Sequence, residues 1–152
     1  MIIKANLTDI DELVKLRYIQ QKDDWEELFI DNKDFNEKTK NYLLQHLNKD
    51  LYIFLYKEGT QILSTCAIQV IEYLPQYFGN GKVGYLCNAY TQKDYRNKGL
   101  QTMLIKYIID FALHNEIYEL ELSVNNIKAK NLYKKIGFQE DLWRMRLEIK
   151  EK

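Results

Sequence analysis

Apolar and polar positions along the chain change rhythm several times, and each change marks an element. Residues 2–5 read as a short strand, and Thr8-Asp9-Ile10-Asp11 then gives a capping-box-like start to a helix. Its apolar positions Ile10, Leu13, Val14 and Leu16 share one helical face. Residues 23–34 are acidic and break the periodicity, which predicts a loop or a short helix. Helical spacing resumes from Phe35 to Leu47 through Tyr42, Leu43, Leu44 and Leu47. Two β-rich runs follow, Leu51–Tyr56 and Ile62–Leu74, joined at Glu58-Gly59. A third, Lys82–Thr91, lies beyond Pro75 and Gly79-Asn80-Gly81, so these three runs predict antiparallel strands in series.

After Thr91 a polar turn, Gln92–Gly99, leads into a helix from about Leu100 to Leu113, a strand over Ile117–Val124 and a helix over Ile127–Ile136. Strand, helix, strand makes a parallel crossover. The end of the chain, Phe138–Ile149, carries the alternation Met145, Leu147, Ile149 after Leu142-Trp143, which predicts a last strand added to the sheet. Without repeat or linker, the sum is an α+β fold with a mixed sheet, one domain over residues 1–152.

A length of 152 residues suits one core of ordinary size, and 46% hydrophobic with 29% charged residues excludes a disordered, collagen-like or membrane-bundle chain. The 22 basic residues match 22 acidic ones, so no overall field draws the protein onto nucleic acid or anionic lipid. Cys66 and Cys87 lack the spacing of a redox or zinc motif and read as two free thiols in a reducing compartment. With His46 and His114 the only histidines, a zinc site has little to be built from, so no metal is expected. No apolar run is long enough to span a bilayer, and the start of the chain does not resemble an export signal. A cytoplasmic protein is the expectation.

Two segments carry candidate chemistry. Tyr90 to Thr102 is a strand end, a basic turn and a helix start. Unpaired amide N–H groups at a helix N-terminus attract anions, Gly99 allows backbone to approach closely, and Arg96 and Lys98 add fixed charge. A pyrophosphate fits such a cradle; taken alone, the turn reads equally well as a solvated loop. The second segment runs from Asn126 to Phe138. Ala129, Leu132, Tyr133 and Ile136 fall on one helical face, where Tyr133 alone would be a core tyrosine, and Gly137 is a helix stop.

Together the segments resemble the GNAT family of N-acetyltransferases, through Arg96-x-x-Gly99 at the helix start and Asn126-x-x-Ala129-x-x-Leu132-Tyr133-x-x-x-Gly137-Phe138. The order of elements agrees across essentially the whole chain. One position departs: Gln101 stands where the family places Gly or Ala, so a long side chain must point away from the phosphates or displace something.

The resemblance implies a central, mostly antiparallel sheet with a splayed parallel pair, flanked by helices. It also implies acetyl-CoA as co-substrate, with the pantetheine arm along Ala89, Tyr90 and Thr91 and the pyrophosphate on Arg96, Asn97, Lys98, Gly99, Leu100, Gln101 and Thr102. Asn126, Ala129, Leu132 and Tyr133 would line the floor of the site. Direct transfer to a primary amine of a small molecule or peptide is implied, which leaves Cys87 a packed thiol. An amine of pKa about 10.4 must lose a proton at a cost of roughly 4.6 kcal/mol at neutral pH. Strand 82–91 has no carboxylate for this step, so Glu72, Glu121 or ordered water are the candidate bases, with Glu72 carried forward. Tyr133 would stabilise the leaving thiolate by a hydrogen bond. Trp25 and Asn88 are the candidate acceptor contacts. The acidic stretch Asp23, Asp24, Glu26, Glu27, Asp31 and Asp34 around Trp25 and Phe29 would receive a cationic amine, or else is a solvated helix end. A homodimer is plausible by the same resemblance. The competing reading is a regulatory module that binds CoA without turnover.

Overall fold

A computed structural model describes residues 1–26 and 32–149. Strand β1 (Ile2–Lys4) leads through a 3-10 turn (Leu7–Asp9) into helix α1 (Ile10–Asp24), and α2 spans Phe35–His46. Strands β2 (Leu51–Glu58), β3 (Gln61–Glu72) and β4 (Lys82–Thr91) follow. Helix α3 (Leu100–His114), strand β5 (Leu120–Glu121) and helix α4 (Ile127–Ile136) complete the order. The sheet runs β1-β2-β3-β4-β5, antiparallel except for the parallel pair β4 and β5.

Alternation along the strands splits the core between two faces. Ile53, Leu55 and Ala67 meet Leu13, Leu16 and Leu43 of α1 and α2 on one face. Phe54, Cys66, Ile68 and Leu86 meet Leu104, Ile105 and Ile108 of α3 on the other, with Leu132, Tyr133 and Ile136 of α4 against the same cluster. The mixed α+β architecture expected from the sequence is therefore observed, with helices on both faces.

Two local features build the site. β4 pairs with β5 only at Gly84↔Leu120 and Tyr85↔Glu121, so the strands part beyond Tyr85. Gly84 is what allows that close start: a Cβ there would lie 2.5 Å from Ile68 Cδ1 and 2.7 Å from Leu120 Cδ2. Second, the β3–β4 ladder jumps from Ala67↔Cys87 to Thr65↔Tyr90, leaving Asn88 and Ala89 opposite the single residue Cys66. This is a β-bulge, with Asn88 in the left-handed region at φ 51°. The extra residue reverses the alternation, so Tyr90 joins the α1 face while Ala89 faces α3 and α4.

Three expectations need correction. The capping box sits two residues upstream of the predicted one: Asn6 Oδ1 accepts from Thr8 N–H (2.8 Å) and Asp9 Oδ2 accepts from Asn6 N–H (2.9 Å). The strand expected over Ile117–Val124 is paired only at Leu120–Glu121. The last strand expected over Phe138–Ile149 does not form, and Leu142, Trp143, Met145, Leu147 and Ile149 are exposed. Local polar contacts hold part of this stretch instead of a ladder: Asp141 accepts from Trp143 N–H (2.9 Å) and Arg144 Nε (3.1 Å), and Arg144 also pairs with Glu121.

Candidate active site

The polar turn after β4 folds into a cleft of about 630 Å³. Ala89, Tyr90, Thr91, Arg96, Asn97, Gly99, Leu100, Gln101 and Thr102 border it from the β4 side, and Asn126, Ala129 and Leu132 from α4. The two sequence segments thus share one cavity although about 30 residues separate them. Gly99, at φ 75°, starts α3 in the left-handed conformation, and no side chain caps this helix. The N–H groups of its first turn, which have no intrahelical partners, remain available to an anion. Asn126 has a local duty: its Oδ1 accepts from Ala129 N–H (2.8 Å) and caps α4. Lys98 is not part of the cleft wall; its ammonium lies 4.9 Å from the Tyr95 ring centroid.

Arg96 is held in place by its surroundings. Its Nε donates to Thr91 O (3.0 Å), and Nη2 reaches Asp23 Oδ2 at 3.4 Å. Asp23 also pairs with Lys93 (3.1 Å) and accepts from Tyr90 Oη (3.2 Å). Burial alone would raise the Asp23 pKa, but the hydrogen bonds from Lys93 and Tyr90 and the charges of Lys93 and Arg96 hold it below the usual carboxylate value. Asp23 therefore orients the basic turn rather than an acceptor amine. Glu27, Phe29 and Asp31 of the same acidic stretch lie outside the described residues. Trp25 follows the end of α1, half exposed, and does not border the cleft. Asp24 does border the cleft. Partial desolvation lifts the carboxyl of this largely exposed residue above the ordinary value; Arg17 and Arg96 oppose the shift and Asp23 adds to it.

The bulge is clamped by side chains that sequence reasoning missed. Thr65 Oγ1 donates to Asn88 O (3.1 Å), Gln20 Nε2 to Ala89 O (3.2 Å) and Ser64 Oγ to Tyr90 O (3.0 Å). With Arg96 on Thr91 O, four successive carbonyls of β4 are held by side-chain donors. The detectable signal was polarity at inward positions: Gln20, Ser64 and Thr65 are buried among apolar neighbours. Gln101 belongs to the same clamp. Its amide turns away from the cleft, and Nε2 contacts Ser64 Oγ (3.0 Å), Thr65 O (2.9 Å) and Thr91 Oγ1 (3.2 Å).

The remaining candidates separate. Glu72 pairs with Lys82 at the start of β4, the opposite end of that strand from the bulge, so the structure does not support it as the base. Glu121 is taken by Arg144. Tyr133 lies one residue beyond Leu132 on α4 and borders a neighbouring cavity of about 620 Å³ between β5, α4 and residues 138–144. Its ring packs edge-on to Phe138, and burial, with the nearby Cys66 and Cys87, pushes its pKa up to about 12. Asn88 borders a third cavity, of about 350 Å³, between α1, α2 and the sheet. Cys87 shares that cavity; burial raises its thiol to about 11, with Arg17 opposing, which suits a packed thiol and not a nucleophile. Among the described residues no His, Cys, Asp and Glu cluster could hold a metal ion, and no helix is long and apolar enough to cross a membrane.

The sequence profile of the acetyltransferase (GNAT) family matches residues 14–138, most of the chain and both segments of the cleft. The chain belongs to that family. This acetyltransferase domain is 30% identical to a predicted acetyltransferase from Clostridium acetobutylicum solved with acetyl-CoA, with TM-score 0.85 over 97% of this chain and 95% of that one. It shares its fold with a GCN5-related N-acetyltransferase from Ralstonia eutropha (18% identity, TM-score 0.81, 98% and 97% covered). It does so equally with glucosamine-6-phosphate N-acetyltransferase from Arabidopsis thaliana (17%, TM-score 0.72, 99% and 98% covered). No curated protein sequence matches it significantly. The GNAT acetyltransferase uses acetyl-CoA as its acyl donor, and the cleft fits that donor: a basic turn and an uncapped helix start face a cavity that the Gln101 side chain leaves open.

Proposed function

We propose that this protein transfers an acetyl group directly to a primary amine of a small molecule, the amine entering through the cavity between α1, α2 and β4. The observation that carries the reading is the bulge at Asn88–Ala89, which borders that cavity on one side and the α3–α4 cleft on the other. Acetyl-CoA, when bound, supplies a thioester carbonyl open to attack by an amine.

The chain's own residues then have distinct duties. Arg96 and the first-turn N–H groups of α3 hold the diphosphate, and Asn97, Ala129 and Leu132 line its surroundings. Asp24 takes the ammonium proton, replacing the bases considered from sequence. It is the carboxylate bordering the cleft, its raised pKa makes it a better proton acceptor, and it feels Arg17 of the acceptor cavity as well as Arg96 of the cleft. Tyr133 would donate a hydrogen bond towards developing sulfur charge and keep its proton, so that the CoA sulfur would leave as the thiolate and take its proton from water. The two free thiols suit a reducing, intracellular setting.

A panel of primary amines with acetyl-CoA, followed by thiol release, tests the reaction. Asp24→Asn should lower kcat/KM for the best acceptor by about 10²-fold while leaving acetyl-CoA affinity within threefold. An unchanged kcat/KM would move the proton acceptor elsewhere, and a silent panel would overturn the amine-transfer reading.

A further inference from the structure

The cavity between α1, α2 and β4 carries a charge that no described residue answers with an ion pair. Its walls are apolar, from Leu13, Phe35, Tyr42, Leu51 and Ile53, and its described lining holds no carboxylate. Arg17 enters this wall from α1, half-buried. Its Nη1 donates to Gln20 Oε1 (2.9 Å) and lies 3.5 Å from Asn88 Oδ1, both neutral groups. Among the described residues no carboxylate makes an ion pair with it, and Nε and Nη2 have no hydrogen-bond partner. Asp24 influences it only from beyond ion-pair distance, while burial works against its charge. A half-buried guanidinium without a counter-ion loses part of its hydration, and its three remaining N–H donors form a fork matched to an oxyanion. Lys38, on the α2 side of the same cavity, adds a second positive charge.

Resting on the amine-transfer reading, we propose that Arg17 selects acceptors in which an anionic group, such as a carboxylate, lies within a few bonds of the reacting amine and an apolar body fills the cavity. Closeness of the two groups follows from position. Arg17 touches Asn88, and Asn88 forms the bulge at which the amine must arrive. An amine lying along the bulge with its anion on the Arg17 fork is an amino-acid-like molecule, with its side chain against Phe35, Tyr42 and Leu51. The determinant differs from the acidic stretch around Trp25, which the sequence offers either as a receiver for a cationic amine or as a solvated helix end.

Calorimetry without acetyl-CoA tests the pocket apart from turnover. 3-Phenylpropionate should bind at least tenfold more tightly than 3-phenylpropionamide. Arg17→Gln should abolish that preference while acetyl-CoA affinity stays within threefold, and Arg17→Lys should restore part of it. 2-Phenylethylphosphonate, run alongside, identifies the head group: tighter binding than the carboxylate assigns a phosphate-bearing acceptor, weaker binding an amino acid. In the coupled assay phenylalanine should exceed phenethylamine in kcat/KM by tenfold or more. Equal binding of acid and amide by the wild-type protein, or binding of neither, overturns the proposal even if phenethylamine is acetylated. Acid binding without acetylation of any amine leaves the anion pocket standing and overturns the amine-transfer reading. Should Arg17→Gln fail to fold, the acid-against-amide comparison on the wild-type protein still decides.

Discussion

Replacing Gln101 by Ala separates two roles that its position in the motif would otherwise confuse. If the side chain crowds the diphosphate, shortening it should tighten acetyl-CoA binding. The structure points the other way: the amide spans the β3–β4 bulge, with Nε2 on Ser64 Oγ, Thr65 O and Thr91 Oγ1. The two protons of Nε2, shared among these three acceptors, contribute about 2 kcal/mol in all. Against this, Gln101 Oε1 is buried without a partner, and removing it relieves a penalty of about 1–2 kcal/mol. The variant should therefore lose at most about 1 kcal/mol of stability, or roughly 2–4 °C in Tm for a chain of this length. The backbone N–H of residue 101 survives, so acetyl-CoA affinity by calorimetry should change less than threefold. Tenfold tighter binding of acetyl-CoA would refute the reasoning, because it would mean that the side chain occupies the cradle.

Tyr133→Phe should reduce kcat by about 10–100-fold with acetyl-CoA affinity unchanged. A phenol at about 12 facing a thiol near 8.5 would lose about 4.8 kcal/mol by giving up its proton, so its contribution is a hydrogen bond and kcat should show no limb from this group below pH 10. Asp9→Asn should cost about 1.5–3 kcal/mol at pH 7 by urea unfolding, since it breaks the buried contact with Lys57 Nζ (2.6 Å). Burial opposes the charged form of Asp9, yet the Lys57 hydrogen bond and the Asn6 amide leave its folded pKa below the unfolded value. That stabilisation is present above the unfolded pKa and is lost as pH falls through the folded one, so wild type and variant should converge only at strongly acid pH. With its thiol at about 11, Cys87 is about 0.1% ionised at pH 8, and iodoacetamide should label the native protein about two hundredfold more slowly than free cysteine. Rapid labelling of Cys87 would disprove the packed-thiol reading.

What could be read from the sequence follows the range of the forces involved. α1, α2, α3 and α4 declare themselves through spacing and caps, and β2, β3 and β4 through β-branched and aromatic runs, because these signals are local. The two helix starts that border the cleft were legible for the same reason: Gly99 begins α3 and Asn126 caps α4. Misjudged positions depend on partners distant in sequence. Glu72 looked near the chemistry because it precedes β4, but antiparallel register carries it to the far end, opposite Lys82. Asp23 reads from sequence either as a receiver for a cationic amine or as part of a solvated helix end, and neither reading includes Lys93 and Arg96, some 70 residues away, which pair with it. The alternation at Met145, Leu147 and Ile149 has the period of a strand, yet the Asp141 turn and the two-residue pairing of β5 give it no ladder to join.

The bulge explains why a core of this size accepts Gln20, Ser64, Thr65 and Gln101. An extra residue in β4 disrupts its ladder with β3 where the register jumps, and buried carbonyls without donors would cost about 1–3 kcal/mol each. Side-chain donors from α1 and β3 fill that role, so the bulge can persist inside the sheet. Its persistence sends Tyr90 to the α1 face, where Asp23 holds its hydroxyl and fixes the turn bearing Arg96. Arg17 leans on Gln20, and Gln20 on Ala89 O, so one polar chain links the cavity between α1, α2 and β4 to the α3–α4 cleft, the two spaces that the proposed function assigns to acceptor and diphosphate. Gln20→Leu, which preserves the apolar packing but releases both contacts, should therefore disturb acceptor KM and kcat together while leaving acetyl-CoA affinity within about threefold. A change confined to Tm would show that the chain supports the fold without aligning the two sites.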